Sequence, residues 1–342
     1  MATMLRTVEL SIAGAIAPIP TWTPDAAIEE YLTAMRPPQV CEGAQAVSIV
    51  ESERVAAQIF DLLTQREYCY LSKSRVAPYR ANALAAFVEA IAQQKPIHIF
   101  LDLGGGYHAS LRPGFRPLDF SVGLAEWFVL GQIARFMREV GSVYAPGARF
   151  SIVIDNLCAY AVNDVPVAET ERYCAGLRRL IRTLRLEERI GLLVESEHFD
   201  YSDYVSAMGR APVDCSTELS PKQLDNIQRF LGRPCSRQEA EQRSQRYVAA
   251  SFATESLIAP LVTGLRMTQR ASNTTLCFRP FPGADCRIQT GQVVLRIGGN
   301  AKPRPMLLTS ANLDEFDLQQ VTMAHVVPLE ASAITVACPR LI

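Results

Sequence analysis

Three stretches of the chain combine residue types and spacings that could do chemistry. The first, IHIFLDLGGGYHAS at 97–110, is an aliphatic run that ends in Asp102 and opens, past Leu103, into Gly104, Gly105 and Gly106 before Tyr107 and His108. Consecutive glycines, having no Cβ atoms, let backbone N–H groups approach a phosphate, a carboxylate or a nucleotide closely. His108 titrates near neutrality in an ordinary environment and is the natural proton carrier of this stretch. Tyr107 beside it is a second catalytic candidate, and Asp102 is a substrate-binding carboxylate. The same string suits an S-adenosylmethionine site, in which an acid and a glycine-rich turn end a first strand. Against that, His108 occupies the place of the third spaced glycine, and Pro113 and Pro117 stand where a helix should begin. A structural role also stays open: Asp102 capping a turn, the glycines making a bend, Tyr107 packing.

The second stretch, VYAPGARFSIVIDNLCAYAVND at 143–164, closes a buried strand with Asp155 and Asn156. A carboxylate there can hold an amine or act as a general base, and an amide both donates and accepts hydrogen bonds. The plainer alternative is that the pair caps the following turn. Glu195, Glu197 and His198 end a third strand, where structural and functional readings weigh equally. The third stretch, GLRMTQR at 264–270, places Arg266 and Arg270 four apart. At one-turn spacing two guanidinium forks could share a carboxylate or phosphate, although arginine pairs that bind nothing are common.

Helices and strands must bring these groups together. TPDAAIEEYLTAM from Thr23, with Pro24 in its first turn, and ESERVAAQIFDLLTQREYCYL read as amphipathic helices. SRVAPYRANALAAFVEAIAQQ reads as a third, after a break at Pro78, and leads into the strand KPIHIFLDL. Beyond the Gly/Pro-rich loop come a helix (FSVGLAEWFVLGQIARFMREV), a strand (ARFSIVIDN), a helix (VAETERYCAGLRRLIRTLRL) and a strand (RIGLLVESEHF). SPKQLDNIQRFLG and the charged SRQEAEQRSQRYVAASFATESLI are helical, the latter as a solvated face. From Thr274 the short runs TTLCFRPF, CRIQ, QVVLRI, PMLLT and AITVAC make a β-rich tail. Strand and helix in alternation predict an α/β fold: a mainly parallel, Rossmann-like sheet covered by helices, with ligands beyond the carboxyl ends of the strands. The expected organisation is an N-terminal helical cover over 1–80, an α/β catalytic core over 81–272, and a β-rich C-terminal subdomain over 273–342 packed on that core.

Composition narrows the function. The 342 residues are 49% hydrophobic, enough for a large core. With 34 basic against 35 acidic residues there is no phosphate-neutralising excess, so nucleic acid is not an expected partner. The apolar run near the start is short and broken by Glu9, unlike a secretory signal, and no stretch reaches the ~20 apolar residues of a membrane span. Nine scattered cysteines without a C-x-x-C pair match cytoplasmic usage, and four histidines far apart imply no metal site.

The segment from Lys95 to about Glu197 resembles the isocyanide (isonitrile) synthases of pyoverdine-associated and dityrosine biosynthesis. The likeness lies in the PI-led aliphatic strand, GLAEWFVLGQI with its Glu126, VYAPGARFSIVIDN, and ERYCAGLRRLI. GLRMTQR resembles the family's arginine-containing segment and makes Arg266 a ligand contact. The resemblance implies a secondary-metabolite enzyme that turns the amino group of an amino acid into an isocyanide with a carbon from a pentulose phosphate. It further implies Asp155 and His108 moving protons, arginines and glycine N–H groups gripping phosphate and carboxylate, and Glu126 and Asn156 lining the substrate. No metal or redox cofactor is implied, and an oxygenase or a peptide synthetase would act downstream. Two departures mark a divergent member: Gly104–Ser110 replaces the family's Lys-Ser-Pro-Asn loop, and Arg270 stands where the family carries a histidine. The alternatives are a methyltransferase using the glycine loop and a non-catalytic small-molecule-binding relative.

Overall fold

The computed structural model describes residues 24–34, 36–38, 49–69, 71–102, 122–212, 219–231, 234–268, 276–279, 292–297, 303–308, 315–322, 326–327, 329 and 333–339. Helices α1 (Pro24–Ala34), α2 (Ile49–Leu63), the single turn α3 (Lys73–Val76) and α4 (Arg80–Ala92) lead into β1 (Ile97–Asp102). Then follow α5 (Leu124–Val143), β2 (Ala148–Ile154), α6 (Asn156–Asn163), α7 (Val167–Thr183) and β3 (Ile190–Val194). Three more helices, α8 (Tyr201–Met208), α9 (Pro221–Leu231) and α10 (Arg237–Ile258), precede β4 (Leu265–Thr268) and β5 (Leu276–Cys277). The chain closes with β6 (Gln292–Arg296), β7 (Arg304–Leu308), β8 (Phe316–Thr322) and β9 (Ala333–Pro339).

The first sheet has the order β3-β2-β1-β4-β5, every neighbour parallel, as the alternation of strand and helix predicts. Successive side chains on a strand point to opposite faces, so Ile97, Ile99 and Leu101 of β1 share one face with Phe150 and Ile152 of β2. On that face α4, α5 and α7 pack against β1, β2 and β3 in one continuous core. Helix α5 is buried along most of its length, which explains why apolar residues occupy nearly all its sides: the sheet lies on one flank and α2 and β6 on others. An aromatic cluster of Tyr68, Phe136, Phe150 and Phe278, with ring centroids 5.2–6.3 Å apart, ties α5 to the sheet. The opposite face carries Phe100 and Val153 against Ile258 at the end of α10, while α6, α8 and α10 bury Leu157, Val162, Tyr204 and Ala250 among themselves.

The C-terminal sheet has the order β7-β6-β9-β8, with β6 and β9 parallel and the outer pairs antiparallel. Val293, Leu295, Ile334 and Val336 join the main core, whereas Val294, Leu308, Phe316 and Ala337 form a small cluster on the other side. Two elements depart from the sequence reading. The TTLCFRPF run, read with the C-terminal strands, supplies β5 to the first sheet. Asn156, read as closing the strand ARFSIVIDN before a turn, instead opens helix α6.

Candidate active site

In a doubly wound sheet of this order the strand sequence reverses between β1 and β4, and ligands bind outside the carboxyl ends at such a switch point. Asp102 is the last residue of β1, and Arg266 sits on β4 beside Phe100, on the same face of the sheet as Asp102. Its guanidinium grips the Asp102 carboxylate, Nε donating to Oδ2 at 3.0 Å and Nη2 at 2.9 Å, while Nη1 donates to Glu255 of α10. Burial raises the Asp102 carboxyl to about 6; Arg266 opposes the rise, and the charges of Asp155 and Glu255 add to it. An acid held there exchanges a proton near neutrality. The one-turn spacing expected for Arg266 and Arg270 does not apply, because Arg266 is on a strand, where positions four apart are roughly 13 Å apart; Arg270 lies outside the described residues.

Asp155 follows β2 at the N-cap position of α6, but its side chain makes no capping hydrogen bond. That role falls to Glu195, at the end of β3, whose Oε2 accepts from the N–H groups of Leu157 at 2.9 Å and Cys158 at 3.2 Å. Its Oε1 lies 2.6 Å from Thr254 Oγ1, which lies 2.9 Å from Tyr204 Oη, which in turn donates to the carbonyl of Ala250 at 2.7 Å. Burial, joined by the charge of Asp155, raises Glu195 to about 8 against the hydrogen bonds from Thr254, Cys158 and Leu157. Glu195 therefore carries a proton at neutral pH, and the Asp155 charge acts on both Glu195 and Asp102.

Asn156 is fully buried. Its Nδ2 donates to Ser196 Oγ at 2.7 Å and to Thr170 Oγ1 at 3.2 Å, and its Oδ1 accepts from the Ser196 N–H at 3.1 Å. These bonds lock the carboxyl ends of β2 and β3 to the first turn of α7. Glu126 closes the start of α5, accepting from Gly123 N–H at 2.7 Å and from Tyr173 Oη at 3.1 Å. Both side chains hold the scaffold around the site. Gly104, Gly105, Gly106, Tyr107 and His108 lie outside the described residues. The VYAPG motif sits at the amino end of β2, away from the acids: Gly147 takes a left-handed φ of +68°, and Arg189 donates to the Pro146 carbonyl at 2.7 Å to hold the turn.

The structure thus groups Asp102, Asp155 and Arg266 with Glu195, Glu255, Thr254 and Tyr204. Glu255, Thr254 and Tyr204 carry no distinctive signal in the sequence. Thr254 and Glu255 sit in a polar stretch whose only sequence signal is that of a solvated helix, and Tyr204 is one more aromatic on a short helix. With Glu195 protonated and Arg266 paired, the cluster keeps an excess of negative charge suited to a cationic group such as a substrate ammonium. Among the described residues no three His, Cys, Asp or Glu side chains are grouped as metal ligands, and no helix is long and apolar enough to cross a membrane.

No family model and no curated protein matches the chain. Among solved structures the fold is similar to that of the PvcA protein of Pseudomonas aeruginosa, with a TM-score of 0.63 and 15% sequence identity over 84% of this chain and 100% of the other. At that identity the likeness is one of fold.

Proposed function

We propose that the chain is an enzyme of small-molecule biosynthesis, a divergent relative of the isocyanide synthases. It would convert the amino group of an amino acid with a carbon donated by a pentulose phosphate, in the cytoplasm and upstream of an oxygenase or peptide synthetase. The observation that carries the reading is the acid cluster at the switch point of a parallel sheet, where Asp155 and the Arg266-held Asp102 face one region. The fold likeness to PvcA over that protein's whole length and the sequence resemblance from Lys95 to Glu197 support it.

In this reading the substrate ammonium binds between Asp102 and Asp155. An amine must lose a proton before it attacks a sugar carbonyl, and Asp102, raised to about 6, can relay that proton while Arg266 keeps the carboxylate in place. Water then leaves as the imine forms, with Asp155 and His108 moving the protons and Tyr107 beside them. Gly104, Gly105 and Gly106 with Arg270 would hold the phosphate and carboxylate through N–H groups and a guanidinium fork. In this reading the catalytic core would span 81–272, the helical cover 1–80 and the β-rich accessory part 273–342.

The test is incubation of the pure protein with aromatic amino acids and carbon-labelled ribulose 5-phosphate, followed by mass spectrometry. The expected product is an isocyanide carrying one labelled carbon. Its absence, while an active isocyanide synthase forms product under the same conditions, overturns the proposal.

A further inference from the structure

At the opposite end of the same strands lies a cleft of about 790 Å³, within the range of small-molecule sites. Its wall is of mixed character: Ala85, Ala86 and Ala90 of α4 with Pro96 and Val262 supply the apolar part, and the cations Lys95 and Arg149 stand among the polar groups. Strand β4 closes one side by unusually near approach: a Cβ on Gly264 would stand 2.2 Å from the His98 carbonyl oxygen, so only glycine lets the two backbones meet there.

Lys95 and Arg149 are exposed, and neither side chain has an ion-pair or hydrogen-bond partner among the described residues. The acid among the lining residues, Glu89, accepts from Gln93 Nε2 at 3.4 Å on its own helix. Two cations and one such acid leave the cleft positive. His98, the register partner of Arg149, lines it too, with Nε2 2.9 Å from Ser151 Oγ and its ring 4.1 Å from that of Phe100. Burial and the Arg149 charge push His98 down to about 4, so it is neutral at pH 7 and leaves anion recognition to the two side-chain cations.

We propose that this cleft is a second ligand site, taking a small organic anion whose carboxylate or phosphate is held by Arg149 and Lys95 and whose apolar body lies on the alanines of α4. It is separate from the acid cluster. Four strand residues, roughly 13 Å, divide His98 from Asp102, and Phe100, Val153 and Ile258 pack as an apolar layer between the two ends. The opposite charge of the two ends makes them select opposite ligands, and the site stands whether or not the isocyanide reading holds.

Calorimetric titration of the full chain with phenyl phosphate and with benzoate tests this, the two arms separating a phosphate ester from a carboxylate as the preferred head group. The expected result is saturable binding of at least one of them. The Lys95→Ala/Arg149→Ala double variant, altered only at exposed positions, should then bind at least about tenfold more weakly, since charge-assisted contacts are lost. Binding by neither anion at millimolar concentration overturns the proposal. So does binding that the double variant leaves unchanged, because the anion then sits elsewhere.

Discussion

Replacing Glu195 with glutamine removes a buried ionisable group while keeping its shape. The amide oxygen can still accept from Leu157 and Cys158, and the Thr254 hydroxyl, which donates to Glu195, can accept from the amide N–H instead. In the folded protein Glu195 holds its proton up to about pH 8, whereas in the unfolded chain it releases it near the ordinary 4.5. Between those values the native state binds the extra proton, so stability falls as pH rises and levels off above the folded value. Each pH unit is worth about 1.4 kcal/mol, so from pH 5 to pH 8 the wild type loses about 4 kcal/mol through this group alone. Asp102, raised to about 6, shifts stability in the same direction but is common to both proteins and cancels in the difference. Urea denaturation at unit steps from pH 5 to pH 8 measures it. Glu195→Gln should nearly equal the wild type at pH 5 and exceed it by up to about 4 kcal/mol at pH 8. Parallel curves across the range would refute the protonated state of the buried Glu195.

Arg266→Met strips the partner from a carboxylate that is only a quarter exposed and should cost about 3 kcal/mol, the low end for a broken buried pair. The Asp102 carboxyl then rises further above 6, so the deficit in urea denaturation grows as pH rises from 5 to 8. Asn156→Ala removes three hydrogen bonds at a fully buried position and leaves Ser196 and Thr170 short of partners, for a loss of about 2–4 kcal/mol seen as a lowered melting temperature. Gly264→Ala forces β4 away from β1 at the His98 carbonyl and should cost about 1–3 kcal/mol in the same melting assay.

Much of the sheet is legible in the chain because parallel strands buried on both faces read as near-continuous aliphatic runs, as in IHIFLD, ARFSIVI and IGLLV. Shorter elements are not. Helix α6 begins one residue after β2 and is only eight residues long, and LRMT is too short for its period to tell strand from helix, so the sequence alone suggests a helical spacing for Arg266 and Arg270. At the site, residue type pointed to Asp102 and Asp155, which end strands where a carboxylate invites attention. Glu195 ends a strand where structural and functional roles weigh equally by residue type, and Thr254 and Glu255 give no signal because a polar helix looks the same whether its hydroxyl faces water or a buried acid. Asn156 and Glu126 show the converse. Their chemistry suits a ligand, yet their hydrogen bonds are made to the scaffold, a choice that only the packing of α7 against the strand ends decides.

The measurement that bears most directly on the acid cluster as the centre of chemistry is turnover by Asp155→Asn, with folding checked by circular dichroism and melting temperature. Asparagine keeps the size of the side chain but removes the charge that acts on Asp102 and Glu195. A fall in kcat/KM of about a hundredfold or more in a folded variant is the expected result. Undiminished turnover would place the chemistry away from the carboxyl ends of β1 and β2 and contradict the account.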